Sequence, residues 1–341
     1  MKVPQLRERL RIPKKFLNMK WGVAGCGNFL ETAFLPTLKQ NKRNKLTTVY
    51  SSNLARAKFI AEKFSAKNYF NDFQEFLKED FDALYISSKN SDHYWQVIEA
   101  AKAGKNILCE KPLALNSTQV KEMIEVCNQN NVQLAVNYVY RFHPLVIKAK
   151  ELIDKQLLGK IVYISANYNV NYSPNDNFRF TKADSGGGVL RDIGTHMIDL
   201  LMFLGGDIQQ VKGFVDNVVY SSQVDDNALA VLKFEAGNYG YFNVSFNCQK
   251  APNRIEIVGY KGSITIERLV SNRNGIAKII IDIHGEAKKA FRKRANKLSF
   301  LLKSVQKSFL NNEKPFVGGE EALKNVLLME ELESQCQPKQ S

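Results

Sequence analysis

The chain has 341 residues, which is enough for more than one hydrophobic core, because single cores stop growing near ~250–300 residues. Its 44% hydrophobic and 24% charged residues are an ordinary globular balance, and no apolar run approaches the ~20 residues a membrane helix needs. Five scattered cysteines with no C-x-x-C pair exclude a disulfide scaffold and a cysteine zinc site, and they point to reduced thiols in a cytoplasmic protein.

Residues 1–18 read as a basic arm without the continuous apolar stretch of a secretory signal. Strands are then expected at Trp21–Ala24, Leu46–Tyr50, Ala83–Ser87, Asn106–Cys109 and Val132–Val136. Helical patterns at Leu54–Phe64, His93–Ala103 and Thr118–Asn130 lie between them. Strands alternating with helices predict βαβ units and a doubly wound parallel sheet over residues 19–140.

The stretch WGVAGCGNFLETAFLP from Trp21 opens like a dinucleotide-binding turn. Gly25 and Gly27 permit the tight bend and a close approach of backbone to a pyrophosphate, with Asn28 and Phe29 starting the following helix. Leu30 stands where that fingerprint has Gly or Ala, which predicts a slightly shifted first helix. The second strand ends in Ser51, Ser52 and Asn53, with Arg56 one turn on, and no Asp or Glu occurs between Glu31 and Glu62. A carboxylate there would bind the ribose 2′-OH of NAD; its absence tilts the expectation modestly towards NADP over NAD. Lys111, in CEKPL, closes a predicted strand, on the side of a parallel sheet where ligands bind. A surface lysine is the plainer alternative.

After Gly159 the texture changes to closely spaced strands: IVYISANYNV, VKGFVDNVVY, ALAVLKF, GYFNVSFN, RIEIVGY, SITIE and KIIIDIHG. They predict a large, open, mostly antiparallel sheet in an α+β domain over residues 141–341, closed by a helix at Glu320–Ser334. In Tyr241–Phe246, alternation sends Phe242, Val244 and Phe246 to one side and Tyr241, Asn243 and Ser245 to the other, which suits helices on one face and a partner subunit on the other. One helical stretch interrupts the strands. It begins GGGVLRDIGTH, places Asp192 and His196 on one face four residues apart, and its glycine triplet suits close approach to a ligand. A histidine near a carboxylate suits general-base chemistry, and a polar helix start around a core histidine is the alternative.

The net charge of +14 is concentrated in Lys288–Lys307, with eight Lys/Arg and no acid. Phe291, Ala295, Leu298, Leu302, Val305 and Phe309 recur at helical spacing, which predicts a basic amphipathic helix over 288–309. Packing on the body with a solvated basic face ranks first, contact with an anionic membrane surface second, and nucleic acid last.

Taken together, VAGCGNFLETAFLPTL, SSNLARAKFIAEKF, YISSKNSDHYWQVIEAAKAGKNILCEKPLALN, VNYVYRFHPLV and GGGVLRDIGTHMIDLLMFLGG resemble the glucose-fructose oxidoreductase/inositol dehydrogenase (Gfo/Idh/MocA) family, over most of residues 20–250. The resemblance implies a Rossmann domain followed by a substrate-binding and oligomerisation domain. It implies NAD(P)-dependent hydride transfer to or from a sugar, sugar-derivative or cyclitol, with Lys111, Asp192 and His196 as the catalytic set. It also implies that Ser88, Asn90 and His93 border the cofactor, that Glu110 lies beside the nicotinamide ribose, and that Tyr140, Arg141 and His143 form a substrate edge. Dimers or tetramers are implied too. The basic balance favours an anionic substrate. Lys89 departs from the usual Pro. Non-catalytic dinucleotide-binding regulators share the scaffold, so that alternative stays open.

Overall fold

A computed structural model describes residues 18–270 and 275–336, so the basic arm expected over residues 1–18 lies, Asn18 excepted, outside them. They divide into two units. The first takes the chain up to Ala114, then Thr118–Asn137 and Leu298–Ala322; the second takes Leu115–Ser117, Tyr138–Lys297 and the chain from Leu323. The sequence drew one border at residue 140, whereas Leu298–Ala322 returns to the first unit.

The first unit is a six-stranded parallel sheet in the order β3-β2-β1-β4-β5-β6. Its strands are β1 Met19–Ala24, β2 Asn44–Tyr50, β3 Asn68–Phe70, β4 Ala83–Ile86, β5 Asn106–Cys109 and β6 Leu134–Val136. The helices among them are α1 Leu35–Gln40, α2 Leu54–Phe64, α3 Phe73–Leu77, α4 Asn90–Lys102 and α5 Ser117–Gln129. β1 lies between β2 and β4, so the strand order reverses there, and the crevice at a switch point is where such sheets bind ligands. Strand β3, three residues long, had no legible apolar run. Within Leu298–Ala322, Phe309 lies 6.3 Å from the Trp21 ring and the buried Gln306 donates to the Arg43 carbonyl at 3.0 Å.

The second unit carries an eight-stranded sheet in the order β14-β13-β12-β11-β7-β10-β9-β8, antiparallel except for β7 beside β10. Helix α6 Pro144–Asp154 precedes β7 Ile161–Asn169; α7 Lys182–Ser185 and α8 Thr195–Gly205 precede β8 Ile208–Asp216. The remaining strands are β9 Asn227–Phe234, β10 Tyr239–Ser245, β11 Arg254–Gly259, β12 Gly262–Glu267, β13 Ile276–Ile283 and β14 Lys289–Arg294. Period-2 alternation buries Ala228, Ala230, Leu232, Phe234, Phe242 and Val244, and leaves Leu229, Val231 and Tyr239 exposed on the other face beside Phe214. Each large side chain buried this way contributes roughly 1.5–3 kcal/mol. The strand read through VKGFVDNVVY stops at Asp216. The buried Asp226 carboxylate draws the next residues into a loop, accepting from the amides of Val218, Val219 and Tyr220 at 2.8, 2.9 and 2.6 Å.

The basic helix expected over 288–309 is corrected. Lys289–Arg294 is the exposed edge strand β14, paired antiparallel with Ile276–Ile281, and the helix is α9, Lys297–Asn311. KAFRKR fits a two-residue period as well as a helical one, and pairing with the apolar β13 decided between them. Leu298, Leu302, Val305 and Phe309 do form a stripe, but it is buried within the protein, while Phe291 belongs to the strand. The cations and that apolar stripe therefore do not make one membrane-facing surface. α10, Gly319–Cys336, closes the described chain, and no helix among the described residues is long and apolar enough to cross a membrane.

Candidate active site

In the first unit the predicted cofactor residues gather at the carboxyl ends of β1, β2, β4 and β5. Gly25 has φ +86°, and a Cβ there would lie 2.3 Å from the Ser88 amide nitrogen, so both conformation and packing demand glycine. Around Gly27 there is open space where a phosphate could approach the backbone. Leu30 is fully buried and opens a widened π-helical turn, Leu30–Phe34, before α1. The helix after the turn is thus altered where the third small residue is missing, while Gly25 and Gly27 keep their places. Lys89 has φ −69° and ψ 155°, a conformation proline also adopts, so this departure leaves the backbone in place.

At the end of β2 several of the expected residues already have partners within the protein. The Ser51 hydroxyl accepts from the Asn53 amide at 3.2 Å, and Asn53 caps α2 by accepting from the Arg56 amide at 3.0 Å. Arg56 does not extend freely beside Ser52. Its Nε donates to the Cys26 carbonyl at 2.9 Å and its Nη2 is paired with Glu31, which also holds Lys63 at 2.6 Å. Those two cations hold the Glu31 carboxyl below its usual range. The exposed Ser52 hydroxyl remains at the strand end.

His93 is fully buried on α4, with Nδ1 3.0 Å from the Pro112 carbonyl and Nε2 3.3 Å from that of Ser88. Burial pushes its pKa down to about 4, and the neutral ring donates to one of these two carbonyls while packing against the other. The buried Asn90 opens the same helix, and the Ser88 hydroxyl donates to Gln96 at 2.6 Å. One Glu110 oxygen accepts from both Tyr85 and Asn137, and burial raises the Glu110 pKa. Glu110 thereby fixes the end of β5, from which the half-buried Lys111 departs through a cis Lys111–Pro112 bond.

In the second unit the helix bearing Asp192 and His196 starts with a π-helical turn, Leu190–Gly194, that runs into α8. Of the glycine triplet expected to suit close approach to a ligand, Gly188 is instead pressed against the protein itself. A Cβ on Gly188 would lie 1.9 Å from the Asp225 carbonyl oxygen, so the close approach is to the protein's own backbone. The Asp225 carboxylate accepts from the Gly188 and Leu190 amides at 2.7 and 2.8 Å, capping the helix start. Deeper in, the Thr195 hydroxyl donates to Asn325 at 3.0 Å and Asn325 donates back to the Thr195 carbonyl at 2.8 Å. Asp192 is paired with Arg179 at 3.4 Å.

Tyr140 meets the His196 ring edge to face at 4.8 Å, and its hydroxyl is hydrogen-bonded to that of Tyr168 on β7. Burial raises the pKa of both phenols, with the Asp192 charge adding to the shift. Arg141 and His143 do not form an open edge. Arg141 is buried in a 2.7 Å pair with Asp199, and its guanidinium lies 5.2 Å from the Phe203 ring centroid. His143 caps α6, its Nδ1 accepting from the Leu145 amide at 3.1 Å, and burial lowers its pKa to about 4. Sequence reasoning missed Tyr168, Arg179, Asp225 and Lys297. Tyr168 lies on β7, Arg179 and Asp225 in connecting segments and Lys297 at the start of α9; none carries a local motif, and the tertiary fold places each.

Residues 19–138 match the oxidoreductase family model with an NAD-binding Rossmann fold, and residues 146–265 match the GFO/IDH/MocA C-terminal domain. The chain belongs to the Gfo/Idh/MocA family. It is 27% identical over 273 residues to Oxidoreductase P35 of Formosa agariphila, covering 76% of this chain and 83% of that protein. Among solved structures it is similar to levoglucosan dehydrogenase in complex with NADH and levoglucosan, at TM-score 0.85 and 20% identity over 93% of this chain and 97% of that one. It is likewise similar to KijD10, a 3-ketoreductase from Actinomadura kijaniata in complex with NADP and TDP-benzene, at TM-score 0.84 and 22% identity over 94% and 98%. Those two likenesses fix the fold; the family assignment makes this chain an oxidoreductase with a dinucleotide-binding domain.

Proposed function

We propose that this Gfo/Idh/MocA protein transfers a hydride between NADP(H) or NAD(H) and a ring hydroxyl or ketone of a sugar, sugar derivative or cyclitol. The observation that carries this is the helix start at Leu190–Gly194, with Asp192 held by Arg179 and His196 set against Tyr140. A non-catalytic regulator would have no use for that set, nor for a retained Lys111. The turn at Gly25 and Gly27, the open space there and the exposed Ser52 fit a dinucleotide phosphate and ribose. The nicotinamide, when bound, supplies or accepts the hydride.

The chain's own residues manage the proton and the developing charge. His196 takes the substrate hydroxyl proton during oxidation and returns it during reduction. Lys111 donates to the substrate oxygen and offsets its negative charge in the transition state. Asp192, held by Arg179, orients the substrate or His196, and Tyr140 limits how far the imidazole can turn. Ser52 and the shared Arg56 give NADP(H) a modest preference, since no carboxylate stands at the strand end to repel a 2′-phosphate. The exposed apolar face around Phe214, Leu229, Val231 and Tyr239 supports a homodimer or homotetramer. Five cysteines described as free thiols support a cytoplasmic location.

Lys111→Ala and His196→Ala are each expected to lower turnover of a verified substrate by about 10²-fold or more. Cofactor affinity, followed by nicotinamide fluorescence, should change little. Turnover at the wild-type rate in either variant removes that residue from the mechanism.

A further inference from the structure

The deeply buried cations of the second unit each have an acid of their own. Arg141 is paired with Asp199 at 2.7 Å, and Arg191 donates through Nε to Glu333 at 2.7 Å. Lys297 is different. Its half-buried ammonium donates to the Leu269 carbonyl at 3.0 Å and stands 5.0 Å from the Tyr140 ring centroid, and among the described residues no carboxylate is paired with it. A carbonyl and an aromatic ring replace only part of the hydration lost by an ammonium. Burial accordingly lowers the Lys297 pKa to about 8, which leaves it charged at neutral pH but short of a counter-charge.

Its position gives that shortage a meaning. Tyr140 is the neighbour of both Lys297 and His196, with the Lys297 ammonium 5.0 Å and the His196 ring 4.8 Å from its ring centroid. The Tyr140 hydroxyl donates to that of Tyr168, so a neutral hydroxyl pair with one proton to spare stands on the same ring as the cation. The proton-handling ring and the unmatched ammonium thus share one aromatic neighbour. Arg179, the other cation here, is already matched by Asp192.

We propose that Lys297 anchors a negatively charged group of the substrate, so that the molecule oxidised or reduced is an acidic sugar. This rests on the oxidoreductase reading above and names its substrate class. A carboxylate, as in a uronic acid, and a phosphate, as in a sugar phosphate or nucleotide sugar, supply the same charge, and the Tyr140–Tyr168 pair has one hydroxyl proton left to donate to either.

The test compares initial rates on D-glucose, D-glucuronate, glucose 6-phosphate and UDP-glucose with both cofactors, for wild type, Lys297→Met and Lys297→Arg. The wild type is expected to favour at least one acidic sugar over D-glucose by about tenfold or more in kcat/KM. Lys297→Met should cut that ratio by about tenfold, through KM rather than kcat, and Lys297→Arg should restore most of it. The acid preferred tells carboxylate from phosphate. An unchanged ratio in Lys297→Met, or a wild type that prefers D-glucose, overturns the proposal. If Lys297→Met does not fold, Lys297→Gln replaces it, and high salt must still compress the wild-type ratio. If no sugar is turned over although the cofactor binds, the sugar-oxidoreductase reading fails separately. The anion site is then decided by calorimetric titration of D-glucuronate and inorganic phosphate into the cofactor-bound protein. Binding that Lys297→Met weakens about tenfold supports the site, and equal or absent binding overturns it.

Discussion

Two buried histidines make the fold sensitive to mild acid. His93 and His143 are 0% and 1% exposed, and burial lowers each pKa from 6.5 to about 4. Between those values the unfolded chain binds a proton that the folded chain refuses, so stability is full above pH 6.5 and is lost as pH falls towards 4. Moving from pH 7 to pH 5 should cost about 2 kcal/mol per histidine, or about 4 kcal/mol for the pair, a large share of the ~5–15 kcal/mol that holds a domain together. Urea unfolding followed by circular dichroism at pH 7, 6 and 5 measures the loss. His143→Asn keeps a cap acceptor for α6 but cannot titrate, so its loss over the same interval should be about half. His93→Gln tests the contact with Ser88 and Pro112 in the same way and should also weaken cofactor binding, because Ser88 and Asn90 are the residues expected to border the cofactor. Equal stability at pH 7 and pH 5 would refute the reasoning, as would the full wild-type loss in His143→Asn.

Glu31→Gln frees Arg56 from its ion pair, and the NADPH-over-NADH affinity ratio should rise by about two- to fivefold, since partly exposed pairs are weak. Ser52→Asp should reverse the cofactor order by adding both an acceptor for the ribose hydroxyl and a repulsion for the phosphate; tryptophan-quenching titrations read both variants. Light scattering at micromolar concentration should give a multiple of the 38.7 kDa chain mass, and Val231→Glu on the exposed sheet face should reduce it to the monomer. Gly188→Ala must push its Cβ into the Asp225 backbone, so its thermal midpoint should fall well below that of the wild type, or the protein should be insoluble.

The sequence by itself determined the elements whose signal is local. The parallel strands from Trp21 to Val136 appear as short β-branched runs between helical patterns, Gly25 and Gly27 mark a turn, and two-residue alternation marks the large sheet. The resemblance placed Lys111, Asp192 and His196 as the catalytic set because each lies in a compact motif. Tertiary structure alone decided which polar groups are already engaged. Arg56 looked available beside Ser52 until Glu31 and the Cys26 carbonyl held it, and Arg141 and His143 looked like a substrate edge until one met Asp199 and the other capped α6. The glycine triplet suited a ligand, yet Gly188 approaches Asp225. Lys289–Arg294 joined a helix by its spacing and a strand by its neighbour β13. The reason is common to all of these. Apolar periodicity and turn chemistry act over a few residues and are written into the chain in order, whereas a charge or donor is satisfied by whichever partner the fold brings within about 3 Å, and those partners lie far away in sequence.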